Sequence, residues 1–481
     1  MCDDYSTVRG CVEGVSMLSG LTRAWVQGAY VGGRTMLRDN QPQKSEPGEE
    51  QDDFDAVSCY PSAMARMHGY LIGDPEDLEV TTQEATKAFL GGASGYFVEI
   101  EITKVGVCRG FPVLSVMDGG RQWTNDLVGK RLVVDRYTLE DAVEFQRIEY
   151  NVVKGVYFDR GFNSTVNTVM TEIFTRRLEA KNAGNDGLAE ALKLFMNSCY
   201  GRHGLKPSEV KVTYRTAKEM DVFHERNYQQ IISHTVTKDA KGDVLGARFR
   251  LVESVDTHFN RCHVASMVCS MAKRLMNEVI CLAEDEGLDI FQSDTDSMHI
   301  TRSHVPKLAA AFEQKYEREL CGEALGQFNC DFAIKRDGKK VGKDVYATNS
   351  IVLAKKMYID VLTGTHKETG ETLSDYHVRM KGVPGDAIFA LAENLDKTPL
   401  ELYEYMYAGG MCEFNLVSAP SNKCEKVKFR YSNDRRIKTL HKSSMFSRKL
   451  WPCKPAAYAS ASKAEQEVMY KEACEARWRM R

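Results

Sequence analysis

The stretch FQSDTDSMHI, residues 291–300, places Asp294 and Asp296 one residue apart between apolar flanks that predict a β-hairpin. Three interpretations are open: an Asx turn at the hairpin tip, a calcium loop, or a carboxylate pair for divalent metal ions. A calcium loop of the EF-hand type requires an oxygen ligand at position five and glycine at position six. This chain has Met298 and His299 there, which excludes that loop. The metal interpretation requires a partner carboxylate elsewhere in the chain.

Length and composition are those of an ordinary globular protein. The 481 residues suffice for about three domains or one large multi-lobed domain. Fourteen cysteines occur without a Cys-x-x-Cys pair, which predicts reduced thiols in an intracellular, non-secreted protein. No apolar run approaches the length of a membrane helix, so we expect no membrane partner. The formal net charge of −3 does not by itself indicate nucleic-acid binding.

A candidate partner carboxylate lies in DDFDAVSCYPSAMARM, which follows an acidic linker. Val57 and its aromatic neighbours favour a strand, and Pro61 suits the first turn of a following helix. Asp55 would then stand at the end of the strand, with Tyr60 at the bend into the helix. The alternative is an acidic tail that simply runs into a core strand.

A third segment, EALKLFMNSCYGRHG, predicts a helix with one polar face. Lys193, Asn197 and Tyr200 are spaced four and three residues apart, so they share that face. Gly201 follows the tyrosine and would permit close approach of another backbone. The alternative is an ordinary solvated helix face.

Together these segments resemble three motifs of family B DNA polymerases, specifically the protein-primed subgroup of phages, adenoviruses, linear plasmids and related mobile elements. The motif Asp-x-x-Ser-Leu-Tyr-Pro is similar to DAVSCYPS, in which Cys59 replaces the usual leucine. Lys-x3-Asn-Ser-x-Tyr-Gly is matched by KLFMNSCYG, and Asp-Thr-Asp-Ser is matched at 294–297. The resemblance implies an α+β right-hand architecture with an antiparallel-sheet palm, helical fingers, a small thumb and two insertions.

The same resemblance implies a metal centre and a nucleotide pocket. Asp55, Asp296 and the carbonyl of Ala56 would hold two Mg²⁺ ions, for which Mn²⁺ could substitute, while Asp294 would support catalysis less directly. Residues that would bind the incoming dNTP are Tyr60, Lys181, Lys193, Asn197 and Tyr200. Another lysine common in the subgroup is replaced by Ala189. We therefore expect a leaner phosphate clamp, or a contribution from Arg176 or Arg177.

DNA contacts are implied by two weaker motifs and by local charge. YVGG at 30–33 resembles a segment that touches the template, and KMY at 356–358 resembles the family's Lys-x-Tyr. The expected DNA-binding residues are Tyr30, Gly32, Gly33, Ser198, Gly201, Lys356 and Tyr358. Basic stretches at 422–454 and 334–343 predict phosphate-tracking surfaces. The expected partners are primer-template DNA, dNTPs and, as a candidate primer, a terminal protein.

The motifs also divide the chain. The expected segments are an N-terminal remnant (1–29), a first palm segment (30–68), a first terminal-protein-region-like insertion (69–150), fingers (151–203), a second insertion (204–262), a second palm segment (263–383) and thumb (384–481). The 29 residues before Tyr30 are too few for the family's exonuclease domain, so we expect no 3′–5′ exonuclease in this chain. Two alternatives are a polymerase-derived DNA-binding module without catalysis, and an RNA-templated or RNA-making palm enzyme, which Tyr60 disfavours.

Overall fold

Helices and strands alternate along the chain in this computed structural model, which describes residues 9–205, 208–239, 241–254, 260–417 and 445–476. The helices are α1 (Gly20–Val26), α2 (Cys59–Arg66), α3 (Gln83–Gly92), α4 (Arg136–Gln146), α5 (Thr165–Asn182), α6 (Asp186–Gly201), α7 (Met220–Asn227), α8 (Cys262–Asp285), α9 (Val305–Tyr316), α10 (Gly385–Asn394), α11 (Pro399–Tyr407), α12 (Ala456–Ser460) and α13 (Lys463–Ala476), with short 3₁₀ turns at Gln27–Ala29, Arg38–Asn40 and Arg302–His304. The strands are β1 (Thr35–Leu37), β2 (Gln43–Lys44), β3 (Gln51–Ala56), β4 (Tyr70–Leu71), β5 (Glu76–Asp77), β6 (Gly95–Lys104), β7 (Ser115–Met117), β8 (Arg121–Trp123), β9 (Arg131–Asp135), β10 (Glu149–Phe158), β11 (Phe162–Asn163), β12 (Ser208–Thr216), β13 (Ile231–Lys238), β14 (Val244–Ser254), β15 (Ile290–Asp294), β16 (Ser297–Thr301), β17 (Phe328–Cys330), β18 (Lys335–Arg336), β19 (Lys339–Lys340), β20 (Gly342–Ala354), β21 (Met357–His366), β22 (Thr372–Met380), β23 (Cys412–Val417) and β24 (Met445–Leu450).

The aspartate hairpin lies inside a nine-stranded sheet. The main path of this sheet runs β1-β15-β16-β3-β20-β21-β22, while β17 pairs with β3 and β2 with β20. The hairpin β15–β16 turns at Thr295, whose φ of 68° lies in the left-handed region. Asp55 on β3 pairs with Ser297 on β16. The predicted strand-end position of Asp55 and the predicted hairpin therefore both occur, side by side.

Helix α8 forms the centre of the main core. Almost all of its side chains are buried, as expected for a helix that is enclosed on every side. Val264, Val268, Leu275 and Val279 pack in the same core as side chains from α2, α5 and the sheet. The helix thus supports the back of the sheet that carries the aspartates.

The expected first insertion contributes most of a four-stranded sheet, β5-β10-β6-β9, which has its own apolar core. Strand β10 runs from 149 to 158 and pairs with β6 as far as Phe158, opposite Gly95. The expected boundary at 150 therefore falls inside a strand, because a strand that is paired along its length cannot be divided between two units. This sheet extends to 158, and the first helix of the expected fingers is α5.

Two further units have apolar clusters of their own. The three strands β12, β14 and β13 of the second insertion pair with one another and bury Ala247, Phe249 and Leu251 in a small separate cluster. In the expected thumb, α10 and α11 pack with β23 around Tyr403 and Phe414. Helix α11 begins at a capping box in which Thr398 and Glu401 exchange hydrogen bonds.

The N-terminal segment belongs to the main core. Cys11, Val15, Leu18 and Val26 are buried there. Of the expected basic stretch 422–454, residues 422–444 lie outside the described residues. The other basic block, 334–343, contains the exposed strands β18 and β19. No helix among the described residues is long and apolar enough to cross a membrane.

Candidate active site

Asp55 and Asp296 are brought together by the pairing of β3 with the hairpin. The Ala56 N–H, one residue after Asp55, donates a 2.8 Å hydrogen bond to the carbonyl of Asp296. Both side chains are partly exposed. Neither carboxylate forms an ion pair or a hydrogen bond with another residue in the described part of the chain. The carboxylate oxygens of these two neighbouring acids are therefore free to bind a ligand.

The electrostatics of this pair indicate a cation site. Burial, followed by the charge of Asp296, raises the pKa of the Asp55 carboxyl to about 8, although Lys193 acts in the opposite direction. Burial likewise raises the pKa of Asp296, and Lys356 opposes that shift. Like charges in a partly buried site disfavour joint ionisation, and a bound cation removes that penalty.

Asp294 has different surroundings. Its Oδ1 accepts a 3.0 Å hydrogen bond from Thr35 Oγ1 and lies 3.0 Å from Lys356 Nζ. Lys356 occupies the turn between β20 and β21 with a left-handed φ of 59°. Asp294 is thus already neutralised by protein groups, which fits the supporting role expected for it. The lysine of KMY acts on this carboxylate in addition to any contact with DNA.

The YVGG segment packs against the tip of the aspartate hairpin. The Thr295 N–H donates a 2.7 Å hydrogen bond to the carbonyl of Arg34. A Cβ added to Gly33 would lie 2.6 Å from Thr295 Cγ2, so only glycine permits this approach. Around Gly32, by contrast, a Cβ would meet open space. Gly33 therefore permits the close approach of this segment to the hairpin, and DNA contact by Gly32 and Gly33 stays a prediction.

The predicted pocket tyrosines lie together. The Tyr60 and Tyr200 rings stack with centroids 4.5 Å apart and planes 8° from parallel. The Tyr200 hydroxyl lies 3.2 Å from the Tyr30 hydroxyl and 2.9 Å from Cys269 Sγ. This chain of polar groups joins the YVGG segment, helix α6 and helix α8. Cys269 was missed because a cysteine in an apolar helical pattern gives no functional signal.

Helices α5 and α6 carry the predicted phosphate-binding cations. Lys193 and Asn197 are exposed on α6, and Lys181 is exposed in the last turn of α5. Arg177 Nη1 donates a 3.4 Å hydrogen bond to Ser58 Oγ, so this guanidinium reaches the strand-to-helix bend between Asp55 and Tyr60.

Two predicted DNA-binding positions at the end of α6 show no specialised geometry. The Ser198 hydroxyl donates to the Leu194 carbonyl of its own helix at 2.7 Å. A Cβ at Gly201 would meet open space. Both positions remain predictions.

Comparison with known proteins places this site in a family. Residues 14–314 match the family described as DNA polymerase type B, organellar and viral. The chain belongs to this family. The match confirms the protein-primed subgroup predicted from the motifs. No curated protein sequence matches the chain significantly.

Solved structures of Phi29 DNA polymerase share the fold of this chain. The orthorhombic crystal form aligns with a TM-score of 0.52 at 15% identity, covering 82% of this chain and 63% of that one. The complex with primer-template DNA aligns with a TM-score of 0.51 at 16% identity, covering 80% and 60%. The ternary complex with primer-template DNA and incoming nucleotide gives 0.50 at 14% identity, with the same coverage. These matches confirm the right-hand architecture. The chain spans about 60% of the Phi29 polymerase chain.

The structure places Tyr358 in the core, whereas the sequence predicts it as a DNA-binding residue. It is 7% exposed, and its ring contacts His299 and His377 edge-on at 5.1 and 5.5 Å. Burial also raises the pKa of its phenol. A direct contact between this ring and DNA is not available in this geometry, because the start of β21 is buried on both faces and Tyr358 packs with Leu37, Phe291 and Val352.

A row of buried polar groups beside the aspartates was not predicted. The ring nitrogens of His299 lie 3.7 Å from Asp53 Oδ1 and 3.5 Å from Asp360 Oδ1. His377 Nδ1 lies 3.1 Å from Asp360 Oδ2. The alternation of side chains along a strand could have indicated part of this row, because it places Asp53 on the same face of β3 as Asp55.

Proposed function

We propose that this chain is a template-dependent DNA polymerase that adds dNTPs to a primer 3′-hydroxyl. The observation that supports the proposal most directly is the unpaired Asp55–Asp296 pair, with Asp294 already neutralised beside it by Thr35 and Lys356. Membership of the type B polymerase family agrees with this chemistry.

The proposed cofactor is Mg²⁺, with Mn²⁺ as a substitute. Asp55, Asp296 and the carbonyl of Ala56 would hold two ions. The donor set fits, since magnesium prefers oxygen ligands and takes few of them from the protein. When bound, the ions supply charge stabilisation at the attacking and leaving oxygens of phosphoryl transfer. The raised pKa of both carboxyls is the expected state of such ligands before a cation neutralises them.

Protein cations would bind the triphosphate. Lys193 opposes the raised pKa of Asp55 and so acts on the same site. Lys181 and Arg177 project from the preceding helix, and Arg177 reaches Ser58 at the bend. A guanidinium donates two parallel hydrogen bonds to a phosphate, which compensates for the small side chain of Ala189.

The sugar of the nucleotide would lie against Tyr60. The stack of Tyr60 on Tyr200 holds the ring in one orientation, as a steric gate against a 2′-hydroxyl requires. Asn197 would complete the pocket from the exposed face of α6.

Primer-template DNA and dNTPs are the proposed partners, with a terminal protein as primer and a virus, plasmid or mobile element as the replicated DNA. Solved complexes of Phi29 polymerase contain primer-template DNA and incoming nucleotides. Lys356 and the exposed block 334–343 offer positive charge to the phosphates. Within that block, Arg336 and Lys340 also pair with Asp375 and Asp331.

We further propose that this chain does not itself remove mismatched 3′ ends. Residues 9–29 contribute apolar side chains to the main core, and Glu13 is the one acid among them. A 3′–5′ exonuclease needs several metal-binding carboxylates. Incubation of the purified chain with a mismatched primer and Mg²⁺ should leave the primer length unchanged.

Primer extension by the Asp296→Asn variant tests the central proposal. With Mg²⁺, the parent should extend a primed template, and the variant should lose at least about a thousandfold in single-turnover rate while still binding DNA. Asp396→Asn is a matched control, because Asp396 is an exposed turn residue outside the site. Equal extension by both variants would contradict the assignment of Asp296.

A further inference from the structure

A cavity of about 680 Å³ lies away from the aspartates, between the first insertion, helix α8 and the segment around Tyr30. Gly28 and Val31 line it on one side, the β7–β8 hairpin with Trp123 on another, and Lys273 of α8 on a third. Its volume is within the range of small-ligand sites in proteins. None of the residues proposed above for metal or nucleotide binding lines it.

Lys273 is a buried cation in the wall of this cavity. It is 7% exposed, and burial lowers the pKa of its ammonium group. The ammonium forms no hydrogen bond or ion pair with any residue that the structure describes. Its nearest aromatic neighbour is the Trp123 ring, whose centroid lies 6.0 Å from Nζ. Burying a cation without a partner is costly, so the position requires a compensating group.

The nearby acid does not provide that group as a direct partner. Asp135 favours the charged form of Lys273 through space. Its oxygens, however, accept hydrogen bonds from Ser266, Ser270 and the Thr138 backbone N–H. These bonds hold the start of α4 against α8.

A second buried cation also lies near Trp123. Arg34 is 3% exposed, and its Cζ is 5.9 Å from the centroid of the Trp123 ring. Its Nη1 donates to the carbonyls of Phe111 and Pro112. Among the described residues, its Nε and Nη2 have no hydrogen-bond partner. Trp123 therefore lies close to two cations that both lack a counter-charge in contact among the described residues.

The rim of the cavity adds further positive charge. Arg121 and Lys130 line it and form no ion pair within the described ranges, while Arg131 is paired with Glu101 at 2.8 Å. Burial lowers the pKa of Arg121, whose Nη1 donates to Ser115 Oγ at 3.3 Å. Two acids, Asp118 and Asp126, also line the cavity, and both are exposed at its edge. The interior charge is thus positive.

We propose that this cavity binds a phosphate group, with Lys273 as the buried cation and Arg121 at the entrance. The phosphate belongs to a nucleotide, since the volume exceeds what a bare anion needs and an aromatic ring forms part of the wall. That nucleotide is either free in solution or part of a DNA strand bound by the chain, and the experiment below separates these two sources.

Calorimetric titration of the full chain in EDTA tests the proposal, because the chelator removes metal from the proposed catalytic centre. The probes are dAMP, deoxyadenosine and a single-stranded oligonucleotide. The variants are Lys273→Met, Arg121→Gln and the control Lys307→Met, which alters an exposed lysine of α9 outside the cavity. Melting temperatures establish that each variant is folded.

The parent and Lys307→Met should bind a phosphate-bearing probe, and deoxyadenosine should not bind. Lys273→Met should bind that probe at least tenfold more weakly, and Arg121→Gln should weaken it by a smaller factor. If Lys273→Met loses affinity for dAMP, the ligand is a free nucleotide. If it loses affinity for the oligonucleotide alone, the ligand is the backbone of a bound DNA strand. Unchanged affinity of Lys273→Met for both probes, or binding of neither by the parent, would overturn the proposal. If Lys273→Met does not fold, unchanged affinity of Arg121→Gln for both probes would likewise overturn the proposal.

Discussion

Asp294 and Asp296 are separated by one residue, yet their neighbours give them different tasks. Asp294 is held by Thr35 and Lys356, whereas Asp296 has no side-chain partner among the described residues. A carboxylate that is already neutralised affects a metal centre mainly by holding the hairpin in place. Asp294 and Asp296 have different surroundings because the chain reverses direction at Thr295, which lies between them.

We expect Asp294→Asn to lower the single-turnover extension rate by about tenfold, well short of the loss in Asp296→Asn. Lys356→Met should reproduce part of this loss, because it leaves Asp294 with Thr35 alone. Rates of the two single variants and the double variant, measured at saturating Mg²⁺, check the coupling. Additive effects in the double variant would show that Asp294 and Lys356 act independently.

Lys193→Met should raise the apparent KM for dNTPs by about tenfold or more, because a charge-assisted contact to the triphosphate is lost. Arg177→Met should act in the same direction if its guanidinium turns from Ser58 to the phosphates. Steady-state extension over a range of dNTP concentrations measures both effects. The control is Lys307→Met, and an unchanged KM in Lys193→Met would assign that lysine to the solvated face of α6.

Tyr60→Val should relax discrimination against ribonucleotides, while Tyr60→Phe should keep it. Both the proposed gate and the stack on Tyr200 depend on the ring and not on the hydroxyl. The ratio of kcat/KM for dNTP and rNTP, measured for the three proteins, tests this. Equal ratios in the parent and Tyr60→Val would place the gate elsewhere.

At the scale of elements, helix α8 buries a histidine near its start. His263 stacks on Phe158 with centroids 5.6 Å apart, and neither ring nitrogen has a hydrogen-bond partner in the described part of the chain. Burial, aided by the charges of His203 and Arg261, lowers the pKa of His263 to about 3. The folded protein therefore keeps this ring neutral under conditions in which the unfolded chain protonates it.

This difference makes folding sensitive to mild acid. Between about pH 3 and 6.5 the unfolded state binds a proton that the folded state does not, so stability falls as the pH drops below 6.5. From pH 7 to 5.5 the loss due to His263 should be about 1 kcal/mol. Urea denaturation at both pH values should show that His263→Phe avoids this loss and that His68→Phe, at an exposed position, does not. An identical pH dependence in all three proteins would contradict the buried neutral state.

Elements with strong local signals were predictable, and the contacts between them were not. The alternation around Asp55, the helical spacing of Lys193 and Tyr200, and the apolar pattern of α8 each depend on neighbouring residues. The pairing of Lys356 with Asp294 depends on strand order, and the polar link from Tyr30 to Tyr200 depends on contact between helix α6 and a segment far from it in sequence. The resemblance of KMY to a family motif likewise did not reveal that Tyr358 is buried, because a three-residue motif carries no information on what packs over β21.

At the scale of the whole molecule, the second insertion should be removable. Its strands begin and end at neighbouring positions, since Ser208 pairs with Ser254, and its apolar cluster is separate from the main core. Replacement of Ser208–Ser254 by a short Gly/Ser linker should lower the melting temperature by less than about 3 °C. Removal of 76–158 should instead abolish cooperative unfolding, because α4 packs on α8 through Asp141 and Arg274. Calorimetry of the two deletion variants tests this prediction, and similar changes in their unfolding transitions would contradict it.

The order of strands in the central sheet has a consequence for biosynthesis. Asp55 and its neighbour Ser297 are about 240 positions apart, so β3 leaves the ribosome on the order of 10 to 50 s before its partner strand. The first insertion, whose strands lie close in sequence, can fold during that interval. Meanwhile β3 has unpaired edges that invite aggregation, and the acidic run before it repels other chains. The charges of residues 49–55 thus protect the nascent polypeptide long before three of them, Asp52, Asp53 and Asp55, reach their places in the finished sheet.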